Sequence, residues 1–139
     1  MGVFQQKITL QPKARGHHLI THIVSEALEN SHVKNGMAHL HILHTSASLT
    51  INENADPTVR IDFETFLSEM VPENYTRFLH TYEGSDDMPA HIKSSLLGNN
   101  ITIPIQNRKL VLGTWQGIYF GEHRDNGGAR QIFISVIGE

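Results

Sequence analysis

Ten histidines stand beside eleven lysines and arginines in this 139-residue chain. That load puts imidazole chemistry first, because imidazole titrates near neutral pH and is the commonest metal ligand. Three polar segments place such groups where a strand or helix ends: HTSASLTINENADP (His44 to Pro57), HTYEGSDDMPAHIKSSLLG (His80 to Gly98) and LGTWQGIYFGEHRDNGGAR (Leu112 to Arg130). In the second, His80 and His91 flank Asp86-Asp87, a set able to converge on one divalent cation, or one whose carboxylate orients a ligand imidazole. In the first, the hydroxyls of Thr45 and Ser46 precede a helix whose free amides favour phosphate or carboxylate. In the third, Trp115 offers a stacking face, Gln116 a hydrogen-bonding edge, and Arg124 or Arg130 a two-pronged clamp for phosphate.

Each feature has a plainer alternative. Threonines, serines and asparagines satisfy strand ends and turns; scattered histidines are commonly surface or hydrogen-bonded core residues; a lone tryptophan in a strand is often core. His17, His18, His22, His32, His39 and His41 are assigned no chemistry. There is no HExxH, no GxSxG elbow, no phosphate loop ending in GK[ST] and no GxGxxG opening a helix, so the corresponding enzyme classes lose ground.

Composition narrows the rest. The net charge is −3 and no stretch concentrates basic residues, which disfavours nucleic acid. Zero cysteines exclude thiolate ligands and disulfides. The first residues, MGVFQQKITLQPK, lack the apolar core of a signal peptide, and no apolar run approaches the ~18 residues of a membrane span. A cytoplasmic protein without membrane contact is expected.

The positioning elements follow from periodicity. Phe4 to Leu10 alternates as a strand; His17 to Asn30 has helical spacing through Ile20, Ile23, Val24, Ala27 and Leu28; Met37 to Thr45 alternates again, with His44 closing the row of Ala38, Leu40 and Ile42. Asp56-Pro57 caps a helix that carries Asp62 at the edge of its apolar stripe and stops at Pro72. Phe78 to His80 is a possible short strand. Met88-Pro89 opens a helix closed by Gly98. Strands at Ile101 to Ile105, Lys109 to Leu112, Trp115 to Gly121 and Gln131 to Ile137 complete one α+β domain over residues 1–139.

The strings HTSASLTINENADPTVRIDFE, DDMPAHIKSSLLG, LGTWQGIY and EHRDNGGAR together resemble the YjbQ family, also called the secondary thiamine-phosphate synthase family, over nearly the whole chain. The resemblance implies a mixed, mainly antiparallel, half-barrel-like sheet packed with helices. It also implies a homotrimer and a pocket holding a divalent metal, zinc by its histidines. His44, His80 and His91 fall on the family's motif histidines and form the expected metal set; Thr45, Glu53, Asp62, Trp115 and Gln116 fall on other characteristic positions. With Ser46 and Arg130 added, the expected ligand-binding set is Thr45, Ser46, Trp115, Gln116 and Arg130, and Glu53 and Asp62 are the expected catalytic carboxylates. His123 stands where many members carry an acid and is left out of the metal set.

The implied activity joins a pyrimidine methyl diphosphate to a thiazole phosphate, with magnesium as the alternative metal for a diphosphate. A histidine-rich site suits zinc better. Metal-dependent hydrolysis of a small phosphorylated or heterocyclic substrate, and non-catalytic binding of a small ligand, are the competing expectations.

Overall fold

The computed structural model describes residues 1–139 as one α+β domain. Its elements run β1 (Gly2–Leu10), β2 (Gly16–Leu19), α1 (Thr21–Ser31), β3 (Gly36–Ile42), β4 (Ala47–Glu53), α2 (Pro57–Met70), α3 (Asp87–Leu97), β5 (Asn100–Gln106), β6 (Lys109–Leu110), β7 (Gln116–Glu122) and β8 (Arg130–Gly138). Five strands form one sheet in the order β1-β8-β3-β5-β6, and three form another in the order β2-β7-β4. Every pairing is antiparallel, and together the sheets make a curled half-barrel.

The apolar rows meet inside the curl. Ala38, Leu40 and Ile42 of β3 lie with Ile132, Ile134 and Val136 of β8, Leu49 of β4, Ile118 and Phe120 of β7, and Val24, Ala27 and Leu28 of α1. Burying these side chains is the main source of stability.

Three sequence expectations change. The helix expected from His17 begins only at Thr21, because His17 to Leu19 extend as β2 in register with Tyr119 to Gly121 of β7. Ala47 to Glu53, read only as part of the polar segment His44 to Pro57, is the strand β4, paired along its whole length with β7. Phe78 to His80 forms no strand.

Helix α2 starts as expected: Asp56 accepts the Thr58 amide at 2.9 Å and Pro57 occupies the first turn. Only Leu67 of its residues is buried, so α2 lies on the three-stranded sheet as a lightly anchored cover.

The functional end is where the chain passes between sheets. The β3–β4 corner, the segment from α3 into β5 and the β7–β8 connection converge there. The Ile42 amide donates to Asn99 O at 2.8 Å, Leu43 to Gln131 O at 3.1 Å and Leu49 to Gly98 O at 3.1 Å.

Candidate functional site

Asp87 and His91 are four residues apart on α3, one above the other on the same helix face. His80 reaches them from the irregular segment before α3. His80 Nε2 lies 2.7 Å from Asp87 Oδ2, and His91 Nε2 lies 3.1 Å from that same oxygen. The ligating atoms of the three residues all fall within 4.8 Å of one another.

Hydrogen bonding fixes the chemistry of this trio. His91 Nδ1 sits 2.9 Å from the Thr45 carbonyl, which can only accept, so Nδ1 carries the proton. Whenever the ring is neutral, its Nε2 lone pair faces a carboxylate oxygen. That pairing is attractive only with a proton or a cation between the two atoms. A backbone carbonyl that fixes the tautomer of a histidine is also the usual outer support of a metal ligand.

Asp87 is held as a carboxylate. Burial alone would push its pKa up, but the hydrogen bond from His80, the neighbouring His91 and the Arg124 guanidinium outweigh it and lower the value. Arg124 binds Asp87 Oδ1 at 3.0 Å, Asp86 Oδ2 at 3.2 Å and the Glu83 carbonyl at 2.6 Å. It ties the loop before α3 in place and leaves Asp87 Oδ2 to the histidines.

Beside the trio opens a cavity of about 410 Å³, lined by His44, Thr45, His91, Ser94, Ser95, Gly98 and Asn99 without one hydrophobic side chain. His44 shares this cavity with His91 but does not join the ligand cluster. Its Nε2 accepts the Gln131 amide at 2.8 Å, and its pKa is lowered by burial and then by Arg130. Asp87, and not His44, stands with His80 and His91 in the cluster of possible ligand atoms.

The other expected site residues lie elsewhere. Arg130 donates through Nε and Nη2 to both oxygens of Glu122, at 2.9 and 2.6 Å, and through Nη2 to Ser46 Oγ at 3.0 Å. Arg130 and Glu122 are buried, so this fork is a structural ion pair in which Ser46 takes part, and neither residue is free to clamp a ligand. Gly127 closes over it; a Cβ there would collide with Glu122 Oε1 and Arg130.

Glu53, Trp115 and Gln116 sit at the opposite end of β4 and β7 from Thr45, β4 alone spanning ~20 Å from Ala47 to Glu53 at about 3.3 Å per residue. Glu53 Oε2 accepts the Asp56 amide at 3.3 Å, Gln116 Oε1 accepts the Gly113 amide at 2.8 Å, and Trp115 is exposed. Asp62 is exposed on α2, beside an apolar groove that it shares with His17, Thr50 and Asn52. Within one chain, then, the expected residues form three separate regions, because β4 carries them from one end of the half-barrel to the other.

Sequence reasoning passed over a second buried group. His17 and His123 pack edge to face with centroids 5.8 Å apart, and His123 Nε2 meets Ser48 Oγ at 2.8 Å. Burial, then neighbouring positive groups, pushes their pKa values down to about 4 and about 3. Gly121 makes room for this: a Cβ there would strike Ser48 Oγ and stand 3.0 Å from the His123 ring. Gly121→Ala is expected to cost roughly 1–3 kcal/mol by overpacking, seen as a lower denaturant midpoint with unchanged slope.

The YjbQ-like UPF0047 family model matches residues 6–139. The UPF0047 protein YjbQ of Salmonella typhimurium is 52% identical over 137 residues, covering 98% of this chain and 99% of the relative. The Bacillus subtilis UPF0047 protein YugU is 39% identical, covering 86% of this chain and 87% of its own. Among solved structures, a YjbQ/UPF0047 protein of Clostridium acetobutylicum superposes with a TM-score of 0.86 at 41% identity, covering 95% of this chain and 99% of that one. A YbjQ-like protein from Sulfolobus solfataricus gives 0.90 at 26% identity, with 99% of each chain covered. With the family model, full-length relatives and solved structures of the same fold all agreeing, the chain belongs to the YjbQ-like UPF0047 family.

Proposed function

We propose that His80, Asp87 and His91 bind one divalent metal ion, and that the adjoining polar cavity presents a small phosphorylated substrate to it for hydrolysis. One observation carries the reading: His91, its Nδ1 committed to Thr45, turns Nε2 toward a carboxylate oxygen that a second imidazole also faces. Two imidazoles and one carboxylate suit zinc better than magnesium, which prefers oxygen ligands. Three protein donors also leave room for further ligands. When bound, the ion would supply Lewis-acid stabilisation of negative charge and a more acidic water.

The chain's own groups prepare the site. Thr45 holds the His91 tautomer through its carbonyl, and Arg124 holds Asp87 by Oδ1. Ser95, Asn99, Thr45 and His44 line the cavity and offer polar contacts to phosphate oxygens. Ser94 Oγ is committed to the Ala47 carbonyl at 2.7 Å and braces α3 against β4.

Thiamine-phosphate formation fits this arrangement as a side activity. A cation beside a polar cavity stabilises a departing diphosphate, but the stacking and clamping roles expected of Trp115 and Arg130 have no place in the cavity of one chain. A homotrimer would supply such groups from a neighbouring copy.

The test is metal analysis of the purified protein with turnover assays. Wild type is expected to hold about one zinc per chain, with His91→Ala and Asp87→Ala weakening binding by at least ~100-fold. His44→Ala should retain the ion. Hydrolysis of a simple phosphomonoester, and any joining of the two thiamine precursors, should fall with metal content. Wild-type zinc content in a folded His91→Ala protein would sink the reading.

A further inference from the structure

We infer that the space under α2 is a second ligand site, for an oxyanion or the phosphoryl end of a small molecule, built on His17, His123, Arg15 and Arg60. It lies apart from the proposed metal centre. Asp87 and His91 face one side of α3, whereas buried Lys93 stands about 200° round the helix from His91 at 100° per residue.

The argument rests on unpaired atoms. Seven buried side-chain nitrogens and oxygens in the chain have no hydrogen-bond partner, and six of them gather here: Arg15 Nε, both ring nitrogens of His17, Arg60 Nε, Glu64 Oε2 and His123 Nδ1. Native proteins pair most buried polar groups, so such a cluster calls for a partner. His17 is 6% exposed and His123 fully buried, which makes leaving them unpaired expensive.

The balance of donors sets the partner's chemistry. Arg15 Nε and Arg60 Nε can only donate, and a neutral imidazole always offers one N–H. When the Ser48 hydroxyl donates to His123 Nε2, Nδ1 of that ring becomes a donor as well. Against these stand Glu64 Oε2 and one nitrogen of His17 as acceptors. Arg15 already pairs through Nη2 with Glu73 and Asp125, so it adds a donor while Arg60 adds the charge; an acceptor-rich oxyanion matches both.

Space is available on both sides of α2. Arg15, His17, Arg60 and Glu64 line a cavity of about 300 Å³, and His17 also borders the apolar groove of about 730 Å³ between α2 and β4. His17 is the link between these cavities and His123, which lines neither and packs behind the His17 ring with centroids 5.8 Å apart.

Calorimetric titration of inorganic phosphate and of glycerol 3-phosphate into purified wild-type protein tests this. Wild type is expected to bind at the metal cavity and at this site; in His91→Ala, whose metal centre is disabled, one saturable site remains, and adding Arg60→Gln weakens it roughly 10-fold or more by removing a charge-assisted bond at a half-buried position. His17→Gln, checked for folding by circular dichroism, should weaken binding too. Tighter binding of the ester identifies a phosphorylated molecule as the occupant; tighter binding of phosphate identifies the free ion. Binding insensitive to Arg60→Gln, binding lost in His91→Ala, or no saturation at millimolar phosphate overturns the inference.

Discussion

Arg130→Met is expected to destabilise the protein by about 3–5 kcal/mol, the usual cost of leaving a buried charge without its partner. Glu122 is fully buried and Arg130 is 5% exposed. Both carboxylate oxygens of Glu122 receive guanidinium donors, so removing the arginine strands a carboxylate in a site built to exclude water. Glu122→Gln should cost a similar amount by stranding the cation. The paired variant Glu122→Leu/Arg130→Met should be much closer to wild type, because neither charge then needs solvation and the mutual attraction no longer has to offset two desolvation penalties. Urea denaturation of the four proteins checks this. A single variant within 1 kcal/mol of wild type would show that water reaches the pair. The result also bears on function: loss of activity in Arg130→Met that tracks its loss of folded protein marks a structural arginine, whereas full stability with lost activity would return it to the ligand site.

How far the sequence discloses this arrangement depends on whether a role is local. Helix α2 is legible in Asp56-Pro57 and helix α3 in Met88-Pro89 and Gly98, because caps and breakers act within a few residues. Asp87 and His91 share a face for the same reason: i, i+4 spacing on a helix needs no tertiary information. His44 is different. Its row of Ala38, Leu40 and Ile42 is correctly read as buried, but the amide that occupies its Nε2 comes from Gln131, 87 positions away. Arg130 likewise meets Glu122 only because β7 and β8 are brought together at one corner.

Strand β4 shows a signal present but outweighed. Ala47, Leu49 and Ile51 alternate with Ser48, Thr50 and Asn52, the period of a strand. The polar row looks like a solvated loop because it is hydrophilic, yet it faces the underside of α2: Ser48 bonds His123, while Thr50 and Asn52 border the groove with His17. A sheet face covered by a lightly anchored helix keeps polar residues that an ordinary core would exclude. His17 was hidden by the same geometry, since its spacing to Ile20 and Val24 is helical although the backbone at His17 is extended.

The second large effect is acid lability that begins well above the carboxylate range. His17 and His123 have folded pKa values near 4 and 3 against an ordinary 6.5, so the folded state holds them neutral while the unfolded chain takes up protons. A histidine whose folded pKa is depressed contributes its full stability above the unfolded value and loses it as pH falls. The loss therefore starts near pH 6.5, proceeds at roughly 1.4 kcal/mol per pH unit for each histidine, and reaches roughly 3 kcal/mol each by pH 4. His44, lowered by burial and by Arg130, acts in the same direction. Asp86 and Asp87 also have depressed values and lose stability on acidification, but from an ordinary value of 3.8 their window lies lower and separates from that of the histidines. Denaturant titrations at pH 7, 5.5 and 4.5 should show the steep early loss, and His123→Gln should flatten it while lowering stability at pH 7. Constant stability from pH 7 to 4.5 would mean that both rings protonate in place, which requires water or an anion under α2 to carry the charge. An oxyanion seated there would itself raise both pKa values and shift the whole transition to lower pH, so repeating the titration in phosphate links this measurement directly to the occupancy of the second site.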